Sequence, residues 1–356
     1  MNKIHHRLLF TILLMAGCNK PAGIHTENIN GESGSYIFFD AELTATKGSL
    51  ISGNTLPMNP GTSFGVYGFR SDGKTSIFNK YKTSATGNLK APFDYVAKVY
   101  RPDTNNDGIG EEFTYDALAL WHSGNHSFYA YYPYESTPSV ITGIRNETNG
   151  HYLTYTQPTS LSDMVDVMTA SSSTDATAST NGVVSLEFAH RLSALDLVVK
   201  NNQTESRRDI KIKSAYIKIQ NIPRDGTLYF NGTTIPNNES FTVLEHTYDI
   251  VNPITITYDN ANEENSKHNL NSSSSFLFLP CDSIDATVTL TIINSWDEEV
   301  QLGITSQSLA PANGFIAGNR YYLIITKTEV GVEFRLDWAN ANGDWTNGPD
   351  SSFDFS

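Results

Sequence analysis

Gly61-Thr62-Ser63-Phe64-Gly65 has the spacing of a hydrolase nucleophile elbow, in which a turn between a strand and a helix holds the serine hydroxyl at an exposed corner. Here Pro57 and Pro60 precede the motif and the apolar run Phe64 to Phe69 follows it, so Ser63 reads as the end of a turn that opens a strand. Asp103, Asn105 and Asp107 place oxygen ligands at positions 1, 3 and 5 of a calcium loop, with Gly108 at position 6. Position 12, where such a loop supplies a bidentate glutamate, is Thr114, and the same residues suit a polar turn between Tyr100 and Phe113. That turn is the expectation, with no bound metal. His122 and His126 share one face of an extended strand without a third ligand beside them, and His190 has the apolar parity of its strand, as a hydrogen-bonded core histidine would. The acidic pairs Glu111-Glu112, Glu263-Glu264 and Glu298-Glu299 are adjacent residues, so in strands they point to opposite faces and make no acid and base couple. Aromatic residues gather at Trp121, Phe128, Tyr129, Tyr131, Tyr132 and Tyr134, a set that reads as a core and its rim. Its functional alternative is a sugar-stacking platform on Trp121, Tyr129 and Tyr131.

These residues need a scaffold, and composition bounds it. The chain has 356 residues, with 24 Lys+Arg against 38 Asp+Glu and a net charge of −14, which leaves no excess of positive charge for a nucleic-acid backbone. Hydrophobic residues at 39% and aromatics at 11% suffice for packed cores. Cys18 and Cys281 are too few and too far apart for a disulfide scaffold or a thiolate metal site. No cofactor is expected, and the chain is not expected to be an enzyme. Cys281, within the apolar run Phe276 to Leu279 and Pro280, reads as a structural thiol.

Lys3 and Arg7 begin a segment that continues through apolar residues Leu8 to Ala16 and ends at Gly17-Cys18, the layout of a secretion signal too short to span a bilayer. Met15-Ala16-Gly17-Cys18 resembles a bacterial lipobox, so residues 1–17 are expected to leave and Cys18 to carry the lipid. Two acyl chains suffice for stable anchoring, each buried methylene contributing about 0.8 kcal/mol.

Beyond the leader, apolar residues alternate with polar ones and no long segment has the helical spacing, so the fold is expected to be all-β. Ile284 to Ile292 and Val330 to Trp338 alternate without interruption. Further strands are expected at Tyr36–Ala45, Phe64–Phe69, Phe93–Tyr100, Phe113–Trp121, Ser127–Tyr132, Val183–Lys200, Ile210–Ile222, Phe276–Cys281 and Tyr321–Thr328. Two of them change parity partway, between Leu192 and Leu195 and again between Ile212 and Ala215, which predicts a bulge or bend near Ser193 and another near Lys213. The polar stretch Asn201 to Asp209 separates an N-terminal sandwich domain, 35–200, from a C-terminal one, 209–340. Residues 18–34 read as a linker, 341–356 as a polar tail, and the Ser/Thr/Ala-rich tract 169–182 as a surface loop.

Several segments together resemble the fimbrillin family, including the Mfa-like fimbrial proteins. They are the lipobox, SFGVYGF at 63–69, FYAYYP at 128–133, SDMVDVMTA at 162–170, VVSLEFAHRLSALDLVV at 183–199, and the closing pattern of Phe315, Ala317-Gly318, Tyr321-Tyr322 and Asp337-Trp338. The resemblance covers nearly all of the chain after its leader. It implies two tandem antiparallel β-sandwich domains of transthyretin-like type and a non-enzymatic fimbrial subunit or fimbria-associated adhesion lipoprotein. It further implies an outer-membrane and cell-surface location, lipid anchoring at least of the precursor, and other fimbrial subunits as partners. In such proteins a protease cuts after a basic residue near the end of the first strand, and the vacated groove accepts a neighbour's strand; the matching residue here is Lys47. The other classes the residues admit are a surface glycan-binding lipoprotein, with a host or glycan receptor, and a hydrolase resting on Ser63.

Overall fold

The computed structural model describes residues 27–29, 32–34, 36–43, 56, 59–70, 76–78, 96–134, 141–147, 150–172, 183–202, 209–257, 267–270, 275–294, 296–328 and 332–337. Alternation becomes strand directly: from Ile284 to Ile293 every second side chain is buried and those between are half-buried. In chain order the strands of the first half are β1 (Glu27–Ile29), β2 (Glu32–Gly34), β3 (Phe38–Leu43), β4 (Ser63–Arg70), β5 (Ala97–Tyr100), β6 (His126–Tyr132), β7 (Ile141–Glu147), β8 (Gly150–Thr156), β9 (Met168–Ser171) and β10 (Val183–His190). They continue as β11 (Ser193–Asn201), β12 (Ile210–Pro223), β13 (Asp225–Tyr229), β14 (Thr234–Pro236), β15 (Phe241–Ile256) and β16 (Lys267–Asn269). The last are β17 (Phe276–Phe278), β18 (Ile284–Ile293), β19 (Glu299–Leu309), β20 (Arg320–Lys327) and β21 (Val332–Asp337). The fold is all-β; a single 3-10 turn, Leu161–Asp163, is the helical element among the described residues.

Apart from the small β1–β2 pair, the strands form four sheets. Sheet I runs β3-β10-β9-β6-β4-β5; sheet II runs β14-β13-β8-β7; sheet III runs β16-β11-β20-β21, with β17 also on β11; sheet IV runs β15-β12-β18-β19. Sheets III and IV enclose one core, with Leu195, Leu197 and Leu323 on one side and Ile217, Val288 and Leu290 on the other. Sheet I is buried on both faces along β4 in its middle, whereas β5, β10 and β3 each have an exposed side. On β4, Phe64 and Val66 enter one core with Phe39, Phe128 and Phe188, while Tyr67 and Phe69 enter a second with Leu153 and Tyr155 of sheet II.

The two expected changes of parity are both present. The chain leaves sheet I at Arg191-Leu192 and continues in sheet III as β11, and β12 shifts register against both its neighbours between Ile212 and Ser214. The expected span 35–200 therefore contains β11, whose partners all belong to the second half. Sheet II likewise joins hairpins from both halves, β8 pairing with β13 from Asp225↔Thr156 to Tyr229↔Tyr152.

Two expectations need correction. The sheets are not wholly antiparallel, because β3 runs parallel to β10 and β11 parallel to β20. Both pairs join segments more than a hundred residues apart, which a tight turn does not orient. Phe113–Trp121 is not a strand. It crosses sheet I through the single bridges Tyr100↔Thr114 and Tyr36↔Leu120, and Tyr115 holds it in place by donating its hydroxyl to the Ile37 carbonyl at 2.7 Å.

Candidate functional site: an edge strand and the groove it fills

The sequence Ile37-Phe38-Phe39-Asp40-Ala41 alternates, and the alternation decides which side chains enter the molecule. Ile37, Phe39 and Ala41 are buried, at 0, 4 and 0% exposure, while Phe38 is half-buried and Asp40 exposed. β3 ends sheet I, held along one side by its parallel pairing with β10 from Val183↔Phe38 to Phe188↔Leu43. Phe39 packs against Phe128 at 5.5 Å between ring centroids, Tyr115 at 5.8 Å and Phe78 at 6.2 Å. Val184, Leu186 and Phe188 of β10 complete the surroundings. Burying these three side chains stabilises the fold by roughly 4–6 kcal/mol. The strand thus lies in an apolar groove whose floor is the core of the N-terminal half. Lys47 and Cys18 lie outside the described residues, as do most of the linker and all of the tail.

The segments that carry the resemblance meet in space. Asp166, from SDMVDVMTA, accepts or shares a hydrogen bond with His190 Nδ1 at 2.8 Å, both residues buried, as the apolar parity of His190 foretold. Arg191 is buried without a carboxylate at its fork: Nη1 donates to the Gly232 carbonyl at 3.0 Å, and Nε and Nη2 donate to the Thr169 hydroxyl and carbonyl. Burial pushes its guanidinium down to about 10. Asp196 is fully buried and pairs with Arg320, and it accepts hydrogen bonds from Ser275 and from Asn269 Nδ2 at 2.9 Å. Arg191 ties β9 of sheet I to the β13–β14 turn of sheet II, while Asp196 links β11 to its neighbours within sheet III. Parity marked His190 in the sequence, but nothing local marked Asp166 or Arg320 as partners.

The remaining candidates are distributed as follows. Gly61 has φ +80° and Ser63 is the first residue of β4, so the elbow motif is a turn entering a strand, without a helix after it. In the Asp103 loop the oxygens turn inward on the backbone: Asp103 Oδ1 and Asn105 Oδ1 each accept the Asp107 N–H at 3.1 Å, and Asp103 Oδ2 accepts the Gly108 N–H at 3.2 Å. His122 and His126 do not lie on one strand, since β6 begins at His126, but their rings stack 6.2 Å apart, with His122 Nε2 3.0 Å from Arg70 Nη2. Among the described residues no three His, Cys, Asp or Glu groups converge as a metal set. Burial pushes the Cys281 thiol up to about 12, with Asp282 adding to the shift.

The proposed stacking platform on Trp121, Tyr129 and Tyr131 is not assembled. Successive residues of β6 point to opposite faces, so Tyr131 is fully buried in the core beneath sheet II while Phe128 enters the core on the other side, where Trp121, from the segment before β6, is buried with it. Tyr129 is half-buried, packed against His151 at 4.4 Å and Phe230 at 5.7 Å.

Four β-sheets packed about shared cores, with β3 filling a groove at one sheet edge, make this an all-β protein of sandwiched sheets. The chain belongs to the fimbrillin-like family, whose profile matches residues 51–336. A fimbrial protein from Bacteroides vulgatus ATCC 8482 shares the fold at TM-score 0.55 and 19% identity, covering 87% of this chain and 99% of that one. A candidate cell-adhesion protein from Bacteroides uniformis ATCC 8492 aligns at TM-score 0.46 and 17% identity over 87% and 98% of the two chains. The fimbrial anchor protein Mfa2 from Porphyromonas gingivalis aligns at TM-score 0.33 and 10% identity over 87% and 99%. No curated protein matches the sequence.

Proposed function

We propose that this chain is a surface fimbrial subunit, exported as a lipoprotein through Cys18, that joins its neighbours by strand addition. The observation that carries the reading is the placement of β3: it is terminal in its sheet, yet it fills the N-terminal core with Ile37, Phe39 and Ala41. A strand so placed is separable in principle, because removing it leaves the N–H and C=O groups of β10 and an apolar groove open together, and an extended segment of another subunit satisfies both. Cleavage after Lys47 would release residues 18–47 with the lipid and free the groove. An uncut chain would remain tethered and serve as an anchor or terminal component. Family membership supports the fimbrial role, and the recessed side chains of β3 support strand addition as its means.

Mass spectrometry of purified surface fibres tests this. The expected result is a subunit beginning at Gly48, with acylated Cys18 found on the released fragment or on the precursor. Fibres in which peptides spanning Lys47 stay intact throughout would sink the polymerising form.

A further inference from the structure

We infer that the outer face of sheet II binds a neutral glycan. The site arises from register. β8 and β13 pair as Tyr152↔Tyr229, Thr154↔Thr227 and Thr156↔Asp225, and residues two apart on a strand share a face, so these six side chains stand together. The intervening residues, Leu153, Tyr155 and Leu228, point the other way and are buried in the core shared with sheet I. The outward six are half-buried. β14 sets Ile235, 51% exposed, opposite Thr227.

Thr154, Thr156, Asp225, Thr227, Ile235 and Asn237 line a depression of about 460 Å³. Pockets of roughly 300–1,000 Å³ hold small ligands, and this one suits one or two sugar rings. Tyr152 and Tyr229, 5.3 Å between centroids, continue the same face as an aromatic surface. Its polar groups are positioned: the Thr156 hydroxyl donates to Asp225 Oδ1 at 3.1 Å, and Asn237 Oδ1 accepts the Glu239 N–H at 3.1 Å.

The lining selects the ligand class. Sugar hydroxyls both donate and accept, and threonine hydroxyls, a carboxylate and an amide offer both roles; the apolar C–H face of a pyranose packs on tyrosine. Among the described residues that line it none is Lys or Arg, and Asp225 adds a negative charge, which disfavours a phosphate, sulfate or acidic sugar. Because both strands are anchored from below by a packed core, the face pays little ordering entropy on binding. This inference goes beyond strand addition and does not rest on it, since it uses a sheet face and not an edge.

Biolayer interferometry with the full chain over immobilised yeast mannan, dextran and desialylated mucin tests it. Saturable binding to at least one is expected, weakened about tenfold or more by Thr227→Lys, which fills the depression, by Tyr229→Ala, and by the isosteric Asp225→Asn. Trp296→Ala removes an aromatic ring exposed elsewhere, on the turn between β18 and β19, and is expected to leave binding unchanged. Unaltered thermal midpoints separate lost contacts from lost fold. Binding to mucin alone assigns an animal glycoprotein ligand, and binding to mannan or dextran a homopolysaccharide. No saturable binding to any of the three, or a smaller loss in both Thr227→Lys and Asp225→Asn, overturns the inference.

Discussion

β3 and β15 each end a sheet, six residues at the edge of sheet I against sixteen at the edge of sheet IV. The shorter strand is the more deeply anchored. With the preceding Ile37 it puts three side chains fully into the core, whereas β15, more than twice as long, buries only Leu244 and Ile256 fully, packs Tyr248, Ile250 and Ile254 partly against that core, and leaves Phe241 54% and Val251 93% exposed. β15 also shifts register twice against β12 and carries Pro253, devices that discourage another strand from joining an edge. Antiparallel pairing of two copies of β15 about Thr247 would set Glu245 against Asp249, a like-charge contact. The difference teaches that strand length is a poor guide to how an edge strand is held. What matters is whether the strand's side chains fill a groove that only an equivalent strand can refill.

The sharpest way to break that comparison is to remove β3. A chain beginning at Gly48 is expected to oligomerise or aggregate, and to become monodisperse on adding a synthetic Tyr36–Leu43 peptide, as read by size-exclusion chromatography with light scattering. A stable monomer without the peptide would mean that the groove closes by itself. Less drastically, Phe39→Ala in the full chain is expected to cost about 3–5 kcal/mol in urea unfolding, because the rings around it collapse only partly.

A third test asks whether the rest of the molecule relies on burial as β3 does. Burial raises the phenols of Tyr132, Tyr155, Tyr248, Tyr321 and Tyr322 above 10, so above that pH the unfolded chain holds fewer protons than the folded one and stability falls. Arg101 and Arg191, both lowered from 12.5 by burial, act in the opposite direction, whereas the Cys281 thiol, raised to about 12, adds to the five phenols. Urea midpoints are therefore expected to drop from pH 10 to pH 11, and a level profile would contradict the burial of these phenols. The smallest effect belongs to β15: Val251→Ser is expected to change stability by less than about 0.5 kcal/mol, measured beside Phe39→Ala. A cost comparable to that of Phe39→Ala would erase the distinction between the two edges.

Much of the secondary structure was legible because it is local. The phase slip at Lys213 is a bulge, the slip at Ser193 is where the chain changes sheets, and Ile284 to Ile293 is the half-buried strand its alternation predicts. Phe113–Trp121 misled because aromatic content resembles strand propensity, while its backbone bonds are divided between Tyr100 and Tyr36. The aromatic set is the core and rim it was read as: parity on β6 sends Phe128 and Tyr131 into two different cores, and Trp121, before that strand, joins the core of Phe128.

By itself the sequence determined the period of two, the turns at Gly61 and Asp103, the alternation of β3 and the parity that buries His190. Only the tertiary structure decided that β3 lies parallel to β10, that Asp166 meets His190, that Asp196 meets Arg320, and that Tyr152 stands opposite Tyr229. The division has a physical cause. Periodicity and turn chemistry are set by steric and solvation preferences within a few residues, whereas the choice of partner across more than twenty residues is made by the collapse of the whole chain, when every apolar face must be covered at once.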